Sequence, residues 1–153
     1  MTDTSGAPRA ADHSTWRLDM AERLASQLEG PRFGVAALYL VGSVKHATAG
    51  PASDIDLLVV FNGTAEQRRE LLCWLEGWSL CLDEINAART GYRSGGLLDV
   101  HIVTADDLAQ RTSFGVKIGS ATDPARPLRL KDVAAPVRAA PEPRSPATPD
   151  RNE

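Results

Sequence analysis

The chain of 153 residues has little of what several common protein classes require. Its two cysteines, Cys73 and Cys81, lack CxxC spacing, which argues against a disulfide scaffold and favours a reducing, cytoplasmic location. No apolar run reaches the roughly 18 residues of a membrane span, so no membrane partner is expected. The 17 basic residues are outnumbered by 20 acidic ones, which argues against a strongly basic nucleic-acid binder. Neither GxxxxGK(S/T) nor GxGxxG occurs, so there is no P-loop or Rossmann fingerprint.

The two ends of the chain differ in composition from its middle. Residues 1–13 are small, polar and without a periodic pattern, and we predict a disordered N-terminus there. From Pro124 onward the chain holds seven of its ten prolines and no glycine, which prevents a continuous helix or a central strand. We therefore predict one domain over residues 14–129 and a flexible, proline-rich tail over residues 130–153.

Apolar residues at helical spacing predict two helices, and acidic residues typical of a helix start predict a third. The first begins with Ser14 as its N-cap and ends at Gly30-Pro31. The second opens with a capping box at Thr64 and ends at Gly91, and the third begins at Ala105. The core-facing stripes of the first two helices are Trp16, Met20, Leu24 and Leu28, and Leu71, Leu75, Trp78, Leu82 and Ile85.

Three apolar runs predict strands at Val35–Val41, Ile55–Phe61 and Leu97–Val103. Strands and helices alternate along the chain, which is typical of the α/β class. Only about a dozen residues join the first two strands, and a long crossover helix does not fit there. The pattern therefore leaves open whether these two strands are parallel or antiparallel.

Three aspartates occupy unusual places for charged residues. Asp54 and Asp56 stand two apart at the start of an apolar strand, so both carboxylates are expected on one face. Asp99 lies inside the third predicted strand, and His101 shares its face. Like charges held side by side repel, and a hard divalent cation such as Mg²⁺ or Mn²⁺ relieves the repulsion. If the third strand neighbours the second, three carboxylates converge on one face and are able to hold two metal ions.

A second group of candidate residues follows the first predicted strand. Gly42 permits a sharp turn and close approach of the backbone to a ligand. Backbone N–H groups and the Ser43 hydroxyl are suited to hold phosphate oxygens, and Lys45 adds a positive charge. The sequence therefore predicts phosphate binding beside the carboxylates.

Gly42-Ser43, a spacer of ten residues and then Asp54-Ile55-Asp56, with Asp99 on a later strand, resembles the minimal nucleotidyltransferases of the DNA polymerase beta superfamily. The resemblance covers roughly residues 35–103 and the preceding helix. It implies an α/β fold with a small mixed sheet and helices packed on one face. It also implies an enzyme that transfers a nucleoside monophosphate from an NTP to an acceptor hydroxyl with release of pyrophosphate.

The resemblance assigns a role to each matched residue. Gly42 and Ser43 would contact the triphosphate, and Lys45 stands in the region where many relatives carry an arginine. Asp54 and Asp56 would bind both of two Mg²⁺ or Mn²⁺ ions. Asp99 would bind the catalytic ion and help to deprotonate the acceptor. ATP is taken as the donor because it is the most abundant NTP.

The acceptor is not identified by the sequence, because the predicted domain has no separate helical lobe to grip one. A macromolecular acceptor such as a protein, or a small helical partner protein that completes the site, fits this architecture. An alternative function is a catalytically idle nucleotide-binding protein, either regulatory or of the antitoxin type. A third is an α/β domain whose acidic face binds a cation for stability alone.

Each candidate residue also has an ordinary structural interpretation. Asp54 and Asp56 would form a strand-entry turn, and Asp99 would be an exposed carboxylate on an edge strand. His101 and Lys45 would be surface residues in contact with solvent. The strand pairing decides between these interpretations and the predicted site.

Overall fold

The computed structural model describes residues 10–110 and 124–132. Within these residues the chain forms five helices and four strands. In chain order the elements are α1 (Ala10–Gln27), α2 (Gly30–Phe33), β1 (Val35–Val41), α3 (Gly42–Lys45), β2 (Ile55–Phe61), α4 (Ala65–Thr90), β3 (Leu98–Thr104), α5 (Ala105–Ala109) and β4 (Arg126–Leu128).

The four strands form one mixed sheet in the order β3-β2-β1-β4. Strand β1 is antiparallel to both β2 and β4, whereas β2 and β3 are parallel. The parallel pair requires a crossover, and the long helix α4 provides it. The predicted α/β fold with a small mixed sheet is confirmed, and the sense of the β1–β2 pair, which the sequence left open, is antiparallel.

The hydrophobic core lies between the sheet and the helices α1 and α4. Ile55, Leu57 and Val59 of β2 are fully buried in one cluster with Leu24 of α1 and Leu75 of α4. Because side chains alternate along a strand, these three residues share one face of β2. The helices therefore cover that face, and the intervening side chains of β2 belong to the opposite face.

Helix α1 begins at Ala10, four residues before the predicted cap at Ser14. The prediction that residues 1–13 are disordered is therefore wrong for residues 10–13, which are helical. Ser14 is 4% exposed, and its hydroxyl accepts a hydrogen bond from the Ala49 N–H at 3.0 Å. It ties the β1–β2 connection to α1 instead of capping the helix.

Helix α4 has the predicted ends, and Leu71, Leu75 and Leu82 of the predicted core stripe are buried. Thr64 and Gln67 form the capping box, and Gly91 ends the helix in the left-handed conformation with φ of 80°. Ile85, predicted in the core stripe, is 41% exposed, so that prediction is wrong. The polar residues Asp83 and Asn86 are buried beside it instead.

The described C-terminal segment adds a strand that the sequence did not predict. Strand β4 pairs with the edge of β1, and Leu130 packs against the core. The Lys131 N–H donates to the Leu28 carbonyl at 3.2 Å. The domain thus extends to residue 132, three residues into the predicted tail of residues 130–153. The remaining tail and residues 1–9 lie outside the described residues. Among the described helices, none has the length and apolarity needed to cross a membrane.

Candidate functional site

The pairing of three strands brings the sequence motifs to one end of the sheet. In the parallel β2–β3 pair, Asp56 stands opposite Asp99. In the antiparallel β1–β2 pair, Asp56 also stands opposite Val41, the last residue of β1, and Gly42 follows directly. The C-terminal end of β1 and the beginnings of β2 and β3 therefore meet, as the convergence of the motifs requires.

Asp56, Asp99 and His101 form a close group of side chains that can ligate a metal. One ligand atom from each of the three lies within 4.8 Å of the others. The Nε2 atom of His101 is 3.3 Å from a carboxylate oxygen of Asp99. The sequence placed His101 on the face of Asp99 but left a surface histidine equally open, and the strand register places it in the cluster.

The surroundings of Asp56 disfavour the negative charge of its carboxylate. Burial, a hydrogen bond with the Asp99 carboxyl and the charges of Asp99 and Asp54 raise the pKa of Asp56 to about 6, against a partial lowering by His101. Two carboxyl groups that share a proton at this separation cannot both ionise without cost. In the free protein, Asp56 therefore holds a proton well above the usual pH range of an aspartate.

Asp54 lies just before β2, outside the group of three but within its electrostatic influence. Burial raises the pKa of Asp54, the negative charge of Asp99 raises it further, and the guanidinium of Arg17 lowers it. The negative charges of Asp54 and Asp99 thus repel each other across the β2–β3 pair. No pattern in the sequence indicates that Arg17, in the first helix, influences this carboxylate.

The donor set fits a hard divalent cation. Carboxylate oxygens with one imidazole nitrogen are ligands of Mg²⁺ and Mn²⁺, with the imidazole favouring Mn²⁺. Burial and the neighbouring acids raise the pKa values of Asp54 and Asp56, so their negative charges are disfavoured in the free protein. A cation bound among them would supply that missing positive charge. The residues present are therefore suited to hold at least one ion.

Position 42 requires a glycine, because its backbone lies against the carboxylate of Asp56. Its φ is 76°, in the left-handed region that side chains disfavour, and a Cβ there would collide with Oδ2 of Asp56. The glycine of one motif thus makes room for the aspartate of the other. Ser43 and Lys45 follow in the short helix α3, at the same end of the sheet.

Comparisons with known proteins bear on the chain that carries the two motifs. Residues 21–91 match the family model of the nucleotidyltransferase domain. The matched range includes Gly42, Ser43, Asp54 and Asp56 and ends before Asp99. The predicted resemblance to nucleotidyltransferases is confirmed by this match.

A solved structure of a candidate nucleotidyltransferase from Sulfolobus solfataricus is similar to this chain at 19% identity, with a TM-score of 0.39. The alignment covers 69% of this chain and 84% of that one. No curated protein matches the chain significantly.

Proposed function

We propose that this protein is a metal-dependent nucleotidyltransferase that moves a nucleoside monophosphate from an NTP to an acceptor hydroxyl. The single observation that carries the proposal is the pairing of Asp56 with Asp99 at the strand ends that also carry Gly42 and Asp54. An ordinary strand-entry turn does not require two carboxyl groups in contact. A site that binds cations and phosphates requires such a pair as ligands.

Each residue then has a defined task in the proposed reaction. The backbone after Gly42, the Ser43 hydroxyl and the Lys45 ammonium bind and orient the triphosphate. Asp54 and Asp56 hold the metal ions, and Asp99 holds the catalytic ion and accepts the proton of the acceptor hydroxyl. His101, 3.3 Å from Asp99, orients that carboxylate.

Two divalent cations, Mg²⁺ or Mn²⁺, would supply positive charge that stabilises the developing charge on the α-phosphate and on the leaving pyrophosphate. The side chains would contribute by fixing the reactants in line for displacement, because phosphoryl-group transfer depends mainly on positioning and electrostatics. ATP is the proposed donor. The proposed acceptor is a hydroxyl on a macromolecule, and a small helical partner protein is a candidate for it.

The test uses ATP labelled at the α-phosphate, Mg²⁺ and a cell lysate as the source of acceptors. Wild-type protein is expected to label an acceptor, and Asp56→Asn and Asp99→Asn are each expected to reduce labelling by about 100-fold or more. Glu70→Gln is the matched control, because Glu70 is an exposed carboxylate of α4. It is expected to label as the wild type does.

Two results would contradict the proposal. Full activity in both aspartate variants would remove the metal assignment. Tight binding of ATP without any transfer would instead favour the catalytically idle, regulatory function. Circular dichroism of each variant separates loss of activity from loss of the fold.

A further inference from the structure

Arg17 is a buried cation at the inner side of the proposed site. It lies in α1, and its side chain is 0% exposed. Its Nε donates to the Ser53 carbonyl at 2.9 Å, and its Nη2 donates to the Pro51 carbonyl at 3.2 Å. Both carbonyls belong to the segment that leads directly into Asp54. One guanidinium thus holds two points of that segment.

Asn86 of α4 holds the same segment from the other helix. Its Oδ1 accepts from Nη2 of Arg17 at 3.0 Å, and its Nδ2 donates to the Pro51 carbonyl at 2.9 Å. The Nδ2 group also donates to the Tyr92 carbonyl at 3.4 Å. Asn86 therefore orients the guanidinium and fixes the same backbone, which joins α1, α4 and the approach to β2.

Among the described residues, the hydrogen-bond acceptors of Arg17 are neutral oxygen atoms. In addition to the bonds already described to Ser53, Pro51 and Asn86, the Nη1 group of Arg17 donates to the His13 carbonyl at 3.2 Å. Burial lowers the pKa of Arg17, and among the charged groups Asp54 does most to offset that lowering. A desolvated cation requires compensation by hydrogen bonds and by an opposite charge. Here Asp54 is the opposite charge, and it is also a proposed metal ligand.

We propose that Arg17, oriented by Asn86, is a positioning residue that fixes the Asp54 carboxylate for metal binding; this inference rests on the proposed function. The planar guanidinium directs separate N–H groups at Ser53 and Pro51, whereas a lysine ammonium offers one donor centre. Groups that orient metal ligands without touching the metal commonly change affinity by 10- to 100-fold when mutated. Arg17 acts through Asp54 and not through Asp99.

The experiment measures Mn²⁺ affinity by electron paramagnetic resonance in nucleotide-free protein. Arg17→Lys is expected to weaken Mn²⁺ binding by about tenfold. Asn86→Ala is expected to weaken it less, because the guanidinium keeps its charge and its bond to Ser53. Arg23→Lys is the matched control, since Arg23 is an exposed arginine of the same helix paired with Asp19. It is expected to bind Mn²⁺ with wild-type affinity.

Double-mutant cycles separate positioning from general stabilisation. In an Asp54→Asn background, Arg17→Lys is expected to have almost no further effect on Mn²⁺ affinity, because the carboxylate through which it acts is gone. In an Asp99→Asn background, it is expected to retain its tenfold effect. An arginine that merely supports the fold would weaken binding equally in both backgrounds, and that result would overturn the inference.

The two proposals fail in different ways. Absence of Mn²⁺ binding by wild-type protein overturns the proposed function and this inference together. Wild-type binding with equal effects of Arg17→Lys in both backgrounds overturns this inference alone. If urea unfolding shows that Arg17→Lys does not fold, the same cycles with Asn86→Ala decide the outcome by the same criteria.

Discussion

Asp56 and Asp83 are two carboxylates of one small domain whose surroundings have opposite effects. Asp83 of α4 is 3% exposed and accepts hydrogen bonds from the Ser94 N–H, the Ser94 hydroxyl and the Gly95 N–H at 2.9–3.0 Å. The hydrogen bond from the Ser94 N–H lowers the pKa of Asp83 most, and the bonds from the Ser94 hydroxyl and the Gly95 N–H lower it further. At Asp56, burial and the neighbouring Asp99 raise the pKa to about 6.

The comparison distinguishes Asp83, whose ionised carboxylate stabilises the fold, from Asp56, whose ionised carboxylate destabilises it. Asp83 holds the turn that leads to β3, and its charge is matched by donors of the chain itself. Asp56 faces the acids Asp99 and Asp54, whose charges oppose its own, and a bound cation would offset them. Burial alone therefore does not identify a functional aspartate, whereas burial among acids does.

The largest effect expected from this comparison is the loss of Asp83. Asp83→Asn replaces one acceptor oxygen by an amide donor that faces the N–H groups of the turn. We expect the free energy of unfolding to fall by about 3 kcal/mol, because three donors of the turn lose a charged and buried acceptor. Urea unfolding measures the change. A fall no greater than that of an exposed control, Asp19→Asn, would show that Asp83 does not stabilise the fold.

A pair of glycine substitutions tests the space beside Asp56. Gly42→Ala introduces a Cβ at a positive φ and against the carboxylate, so we expect a loss of about 2 kcal/mol and much weaker Mn²⁺ binding. Gly77→Ala lies inside α4 with no atom within 4 Å of the new Cβ, and it is expected to add about 1 kcal/mol. Unchanged Mn²⁺ affinity in Gly42→Ala would contradict the close approach.

Removal of the charge at Asp56 is expected to stabilise the metal-free protein. At pH 8, Asp56→Asn keeps the side-chain shape and removes an ionised carboxylate from beside Asp99. After allowance for solvent screening, we expect a gain of about 1 kcal/mol in the free energy of unfolding. Added Mg²⁺ should then raise the melting temperature of the wild type more than that of the variant. A destabilised variant in the presence of EDTA would reverse the interpretation.

The smallest effect expected is a change in the pH dependence of stability. Because folding lowers the pKa of Asp83, its stabilisation is complete above about pH 4 and is lost as the pH falls further. Because folding raises the pKa of Asp56 to about 6, stability decreases as the pH rises from about 4 through 6. In urea titrations with EDTA, Asp83→Asn should lose the first slope and Asp56→Asn the second. The same slopes in both variants would show that other groups dominate.

Apolar periodicity was sufficient to predict the strands that carry the site. The bounds of β1 and β2 are those expected from the sequence, and β3 begins one residue later, at Leu98. Strand order was not accessible, since local pattern carries no information on which strands pair. Only the resemblance implied a mixed sheet, and only the register places His101 with Asp56. Strand β4 was missed because Pro127 disfavours a strand, although an edge position tolerates it.

The buried polar residues were not predicted, because charged and amide side chains on helices usually face solvent. A signal did exist for α4. Ser79, Asp83 and Asn86 are spaced by four and three residues, which is the spacing of a helix face that packs on a sheet. The Ser79 hydroxyl accepts from the Leu98 N–H at 3.0 Å, so all three members of this face hold backbone near β3 or β2. For Arg17, the sequence contains no comparable signal.

The cross-strand pair of Val41 and Asp56 sets the distance between the two motifs. Residues 46–48 between them are exposed, yet their N–H groups donate to the carbonyls of Gly42, Val44 and Ser43, respectively, at 2.9–3.2 Å. Extra residues inserted there would break these bonds and disturb the turn that places Gly42 against the carboxylate. A tether, a fluorescent reporter or a docking peptide grafted at this point would therefore alter the proposed phosphate-binding residues.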